Sequence, residues 1–120
     1  MSSPVTDQGI EALAIIATEW FKAARRLHKL TLESAPTRME RERAQLSYSE
    51  RRIQDTLTAL ELRLVTYDGS EFSAQLPAEP VNPEDFASEE GLVVSETLEP
   101  TILHKGRVIF RGRVVLTKGK

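Results

Sequence analysis

The chain has 120 residues and no cysteine, which excludes disulfides, thiolate chemistry and a cysteine-based zinc site. Its two histidines, His28 and His104, lie far apart with no carboxylate at ligand spacing, so no metal is expected. Long apolar runs are missing too. The run that starts at Ile10 is broken by Glu11 and Glu19, well short of the ~20 residues of a membrane span. The N-terminus carries carboxylates where a signal peptide needs a basic start, and a cytoplasmic location is expected. Glycines 91, 106, 112 and 119 are scattered and none opens a helix, so no phosphate-cradling loop is present. No serine stands in a nucleophile-elbow context. These absences argue against an enzyme, and no cofactor is expected.

One more absence organises the C-terminal half. From Tyr67 to Pro100 there are nine Asp or Glu and no Lys or Arg, whereas from Thr101 onward there are six Lys or Arg and no carboxylate. The net charge of −2 hides this polarity, so any electrostatic role must come from local patches.

What is present begins with helices. Between Thr6 and Ser34, apolar residues fall at Ile10, Leu13, Ala14, Ala17, Trp20, Phe21, Ala24 and Leu27, the spacing of one helix face. A second stripe, Ile16, Ala23 and Leu30, flanks it and makes the apolar surface wider than one partner helix needs. Pro36 is read as the stop. Thr37-Arg38-Met39-Glu40 then matches a capping box that opens a second helix running to about Leu62. In it Met39, Leu46, Ile53 and Leu60 recur every seven residues, with Leu57 and Leu64 in the second seam position. The matching earlier positions are Arg43 and Glu50, which weakens the N-terminal half of that seam. A short loop makes the helices antiparallel neighbours. Their excess apolar surface predicts a dimeric four-helix bundle, with Leu13, Trp20, Leu27, Ile53, Leu57 and Leu60 at the interface.

After residue 63 the pattern changes to period two. Leu64 to Tyr67, Asp68-Gly69 and Ser70 to Leu76 predict a β-hairpin, because Asp-Gly suits the tight turn between paired strands. Residues 77–91 read as an acidic loop with one short turn at Pro83 to Ala87. Strands are expected around Val93 and Val94, Ile102 and Leu103, Arg107 to Phe110, and Val114 to Thr117. The expected class is therefore α+β, with residues 1–63 as a helical dimerisation region and residues 64–120 as a small β domain. Arg107, Arg111 and Arg113 would give that domain a basic face, which suits either an exposed sheet surface or a site for an acidic partner. The acidic loop folding back on the basic strands is the intramolecular alternative. On helix two, Arg38, Arg41, Arg43, Arg51 and Arg52 alternate with Glu40, Glu42 and Glu50, the mark of a solvated face rather than a nucleic-acid surface.

The order of elements, with Tyr67-Asp68-Gly69-Ser70-Glu71-Phe72, then Val94 to Leu98, then Gly106-Arg107-Val108-Ile109 and a closing strand through Val114, resembles the GrpE family of nucleotide exchange factors for Hsp70 chaperones. The family's tail reads Gly-Arg-Val-Ile-Arg-Pro-Ala; here Phe110-Arg111-Gly112 replaces its last three residues. The family's His and Glu-Ala after the Phe-Asp-Pro turn are missing, and its long N-terminal coiled-coil stalk is not expected. The resemblance implies a homodimeric cochaperone whose β wings contact the ATPase domain of an Hsp70-type partner and promote ADP release. It makes Gly106, Arg107, Arg111, Arg113 and Phe72 the candidate partner-binding residues. A scaffold subunit that tethers a protein or nucleic acid through its basic wing is the competing expectation.

Overall fold

Alanine decides how the first helix packs. Helix α1 (Asp7–Leu32) buries Ile10, Ala14, Ala17, Ala24 and Thr31, spaced by three, four or seven residues so that they share one face. The computed structural model describes residues 7–33, 36–88 and 90–119. Within these, helix α2 (Pro36–Ala59) begins at the proline read above as a stop. Proline suits a first helical position, where its missing N–H costs no bond and its fixed φ is already helical. The side chains of Thr37 and Arg38, and with them the capping box, lie outside the described residues. α2 buries Leu46 and Leu57.

Contacts between the helices run in opposite sequence order. Arg43 Nη2 donates to the Thr31 carbonyl at 3.0 Å, and His28 Nε2 lies 2.8 Å from Glu50 Oε1. The two residues that interrupt the apolar seam thus both reach across to α1. Arg43 covers a carbonyl in the last turn of α1, where no N–H of the helix remains to bond it. α2 ends three residues earlier than expected, at Ala59, and Glu61 takes a positive φ of 61° as the chain turns into strand β1 (Leu62–Val65). Leu64, placed by spacing on the helical seam, belongs to that strand.

The chain divides into two compact units, Met1–Arg63 and Leu64–Lys120. Overall it is an α+β chain in which two helices precede two three-stranded sheets. The remaining strands are β2 (Ala78–Pro80), β3 (Leu92–Glu99), β4 (Thr101–His104), β5 (Arg107–Phe110) and β6 (Gly112–Lys118). One sheet has the order β1-β4-β5 and the other β2-β6-β3.

The expected hairpin across Asp68-Gly69 is not formed. The turn is there, with Gly69 at a φ of 82°, but Ser70 to Leu76 makes only an isolated bridge, Glu71 to Val93. β1 instead lies beside β4. Asp68 explains part of this: its Oδ1 accepts from the Thr97 amide at 3.1 Å, so the turn is fastened to β3 and not to its own return strand. The acidic segment is also more ordered than a loop. β2 pairs in parallel with β6, and Asn82 continues the ladder by accepting from Leu116 N at 3.0 Å and donating to Leu116 O at 3.1 Å. The short turn expected after it is a 3-10 helix, Pro83–Asp85.

The core of the second unit is Tyr67, Ala78, Leu92, Val94, Val114 and Leu116, with Val65, Phe72, Leu76 and Phe86 packed against it. Beside it runs a buried polar chain. Tyr67 Oη donates to Thr101 Oγ1 at 2.8 Å, which in turn donates to the Pro77 carbonyl at 2.6 Å and accepts from Gly112 N at 3.1 Å. Thr97 Oγ1 accepts from the Tyr67 amide at 2.9 Å. Gly112 is required by close approach: a Cβ there would stand 2.9 Å from Glu99 O and 2.9 Å from Thr101 Oγ1.

Candidate binding surface

β4 and β5 form an antiparallel hairpin that closes with His104 opposite Arg107. Its turn is Lys105-Gly106, with φ values of 52° and 82°. Two successive positive φ values define the two-residue turn whose twist matches paired strands. Glycine adopts this geometry freely, while a lysine held there costs about 1 kcal/mol. Immediately after it, Arg107 is exposed and Val108 is 45% exposed. The ladder shifts register between Ile102 and Leu103, which breaks the simple alternation of β5. Arg107 and Val108 are consequently both exposed, and Ile109 and Phe110 both half-buried. The tip is thus two cations flanking a glycine, with an exposed valine alongside.

The other two arginines of the predicted face lie beside carboxylates of the same unit. Arg111 Nε lies 3.5 Å from Glu79 Oε1, and both side chains are largely exposed. Arg113 stands in register with Glu79 on β2 and with Glu99 on β3. The acidic segment therefore does fold back on a basic strand, at β6. Phe72, predicted to meet a partner, is half-buried against the core of its own unit. Of the five predicted partner residues, Gly106 and Arg107 sit together at the β4–β5 tip; Arg111 and Arg113 flank or enter β6, and Phe72 supports the core.

In the helical unit, Leu13, Trp20, Ile53 and Leu57 line a groove of about 290 Å³ between α1 and α2, with Arg52 among its lining residues. Of these four residues, predicted for the dimer interface, Leu57 is buried and Leu13, Trp20 and Ile53 are half-buried. Leu27 is exposed, and Leu60 lies just past the end of α2, its amide donating to Leu57 O at 3.0 Å. Among the described residues no group of three or more His, Cys, Asp or Glu is placed to hold a metal, and no helix is long and apolar enough to cross a membrane.

The Tyr67–Thr97–Thr101 network and the β2–β6 pairing escaped sequence reasoning. Nothing local distinguishes a structural threonine from a surface one, and a three-residue strand holding Glu79 and Pro80 carries no period to read. Comparison of the chain with protein-family models, curated proteins and solved structures gave no match.

Proposed function

We propose that the chain is a non-enzymatic binding protein of the exchange-factor type. Its two helices form an antiparallel hairpin that pairs with a second copy into a four-helix bundle. The β unit carries the contact with an Hsp70-type ATPase domain, made by the β4–β5 tip. The observation that carries this reading is the tip itself: Arg107 and Val108 both face solvent after a turn that holds Lys105 at a positive φ. The Gly106-Arg107-Val108-Ile109 run is also where the sequence most resembles the GrpE family. Backbone strain kept in an exposed loop, with cations on both sides, suits recognition better than folding.

The mechanism needs no chemistry. A tip that binds the open ATPase domain more tightly than the nucleotide-bound form lowers nucleotide affinity by the same factor, because the two equilibria are linked. The test is stopped-flow release of a fluorescent ADP analogue from an Hsp70-type chaperone, with and without the protein. Faster release, lost in Arg107→Ala, supports the reading; an unchanged rate with every such chaperone of the source organism removes it.

A second reading rests on the same cations: the tip tethers an acidic partner as a scaffold contact, with nucleic acid as one form of it. Binding would then weaken steeply with ionic strength through counterion release and be indifferent to nucleotide state.

A further inference from the structure

The apolar surface of α1 that the hairpin leaves outside is not random. Ala12, Ile16, Ala23, Leu27 and Leu30 are all exposed, with Ile16 at 63% and Leu27 at 46%. Together with half-buried Gly9 they form a continuous stripe, since spacings of three, four and seven residues return to one side of a helix. α2 has no such stripe. Of its described residues only Tyr48 is an exposed large apolar side chain, and the rest of its outer face is Glu40, Arg41, Glu42, Arg51, Arg52, Asp55 and similar residues.

The stripe is complementary to itself about the midpoint between Glu19 and Trp20. Reversing the helix around that point sets Leu30 against Gly9, Leu27 against Ala12 and Ile16 against Ala23. Each large side chain meets a small one, the arrangement that lets two helices approach and interdigitate. The flank agrees. Along one border of the stripe, Glu11 and Glu19 occupy the N-terminal half and Lys22 and Arg26 the C-terminal half. A twofold antiparallel neighbour sets this border beside its own reversed copy, so acids lie next to bases, whereas a parallel neighbour sets it against the opposite border and gains no such pairing.

We infer that α1 pairs antiparallel with α1 of a second copy through Gly9, Ala12, Ile16, Ala23, Leu27 and Leu30, in the register that centres the twofold axis between residues 19 and 20. This deepens the paired-bundle reading above and rests on it. It also shifts the interface from the residues predicted by spacing: of those six, only Leu27 lies on the stripe, while Leu13, Trp20, Ile53 and Leu57 line the groove between α1 and α2. The groove opens toward the stripe through Ile16, which belongs to both.

The absence of native cysteine makes the test clean. Three single-cysteine chains, Ala12→Cys, Glu19→Cys and Leu27→Cys, are treated with a short bifunctional thiol cross-linker, and mass is read by light scattering before treatment. The inference requires an untreated dimer, self-linking of Glu19→Cys, and linking of Ala12→Cys to Leu27→Cys when the two are mixed. Ala12→Cys alone stays unlinked, because its two copies lie about 22 Å apart along the axis at 1.5 Å per residue. Self-linking of Ala12→Cys would mean a parallel pair; it overturns the register while leaving the dimer standing. A monomeric untreated protein at concentrations well above micromolar overturns both. As a second arm, Leu27→Asp is expected to raise the dimer dissociation constant about 30-fold or more, with helical circular dichroism unchanged in the separated chain. A dimer of undiminished affinity would place the interface elsewhere. ADP-release activity enters none of these readouts, so the exchange-factor reading stands or falls separately.

Discussion

The two units bury opposite kinds of residue. In the β unit the large side chains are inside: Ile102 and Val114 are 0% exposed, and Tyr67, Thr97 and Thr101 satisfy one another in the interior. In α1 the fully buried positions are mostly alanines, while Ile15, Ile16, Leu27 and Leu30 face outward. The sheet unit thus has a core of its own with internally paired polar groups. α1 hides three alanines and Ile10 but leaves Ile15 and Ile16 in water. The difference lies in what faces water: large apolar side chains on α1 in the first unit, and the cations of the β4–β5 tip in the second.

Five substitutions break or sharpen that contrast. The largest effect is expected from Ile102→Ala, which removes a wholly buried side chain and should cost about 4 kcal/mol by the loss of burial and the cavity left behind. The same change at Ile16 should cost the isolated chain under about 0.5 kcal/mol, since that side chain is already in water. Amide exchange of β6, followed in both variants, checks the pair; equal losses would dissolve the distinction between the units.

Next comes Thr101→Val. It keeps the shape but leaves Tyr67 Oη without its acceptor, while Gly112 N and Pro77 O retain each other at 3.0 Å. About 2 kcal/mol should be lost from the β unit. A neutral result in urea denaturation would mean that the buried phenol finds another partner.

In the helical unit the corresponding polar tie is Arg43, and Arg43→Met should remove about 1 kcal/mol by freeing the Thr31 carbonyl. Trp20, the single tryptophan, lies in that unit, so its fluorescence transition reports the loss. The His28–Glu50 contact, with both side chains about 40% exposed, should matter less, because water competes for both groups. Finally, Lys105→Gly should stabilise the β4–β5 hairpin, by at most about 1 kcal/mol, through relief of the positive φ. It should also weaken binding to the partner. A thermal melt and a titration separate the two effects, and stabilisation with undiminished binding would deprive the strained lysine of its recognition role.

Much of the fold was legible because periodicity is a local property. α1, the class, and the strands around Val94, Ile102, Arg107 and Val114 all followed from the spacing of apolar residues. The Asp68-Gly69 turn was legible, but not what it joins. The helical seam over-reached into Leu64 because seven-residue spacing does not register where a helix stops.

By itself, the sequence determined two helices followed by strands, the separation of acidic from basic segments, and a basic Gly-Arg turn near the end. Only the tertiary structure decided that Glu79 meets Arg111, that Phe72 packs against the core, and that Arg107 faces solvent. It also decided which apolar residues of α1 are buried and which are exposed. The reason is that pairing joins residues distant in the chain: Tyr67 meets Thr101 and Asn82 meets Leu116, each across 34 positions. No local pattern encodes such a choice, because it is made by whichever backbone closes the core with its polar groups satisfied.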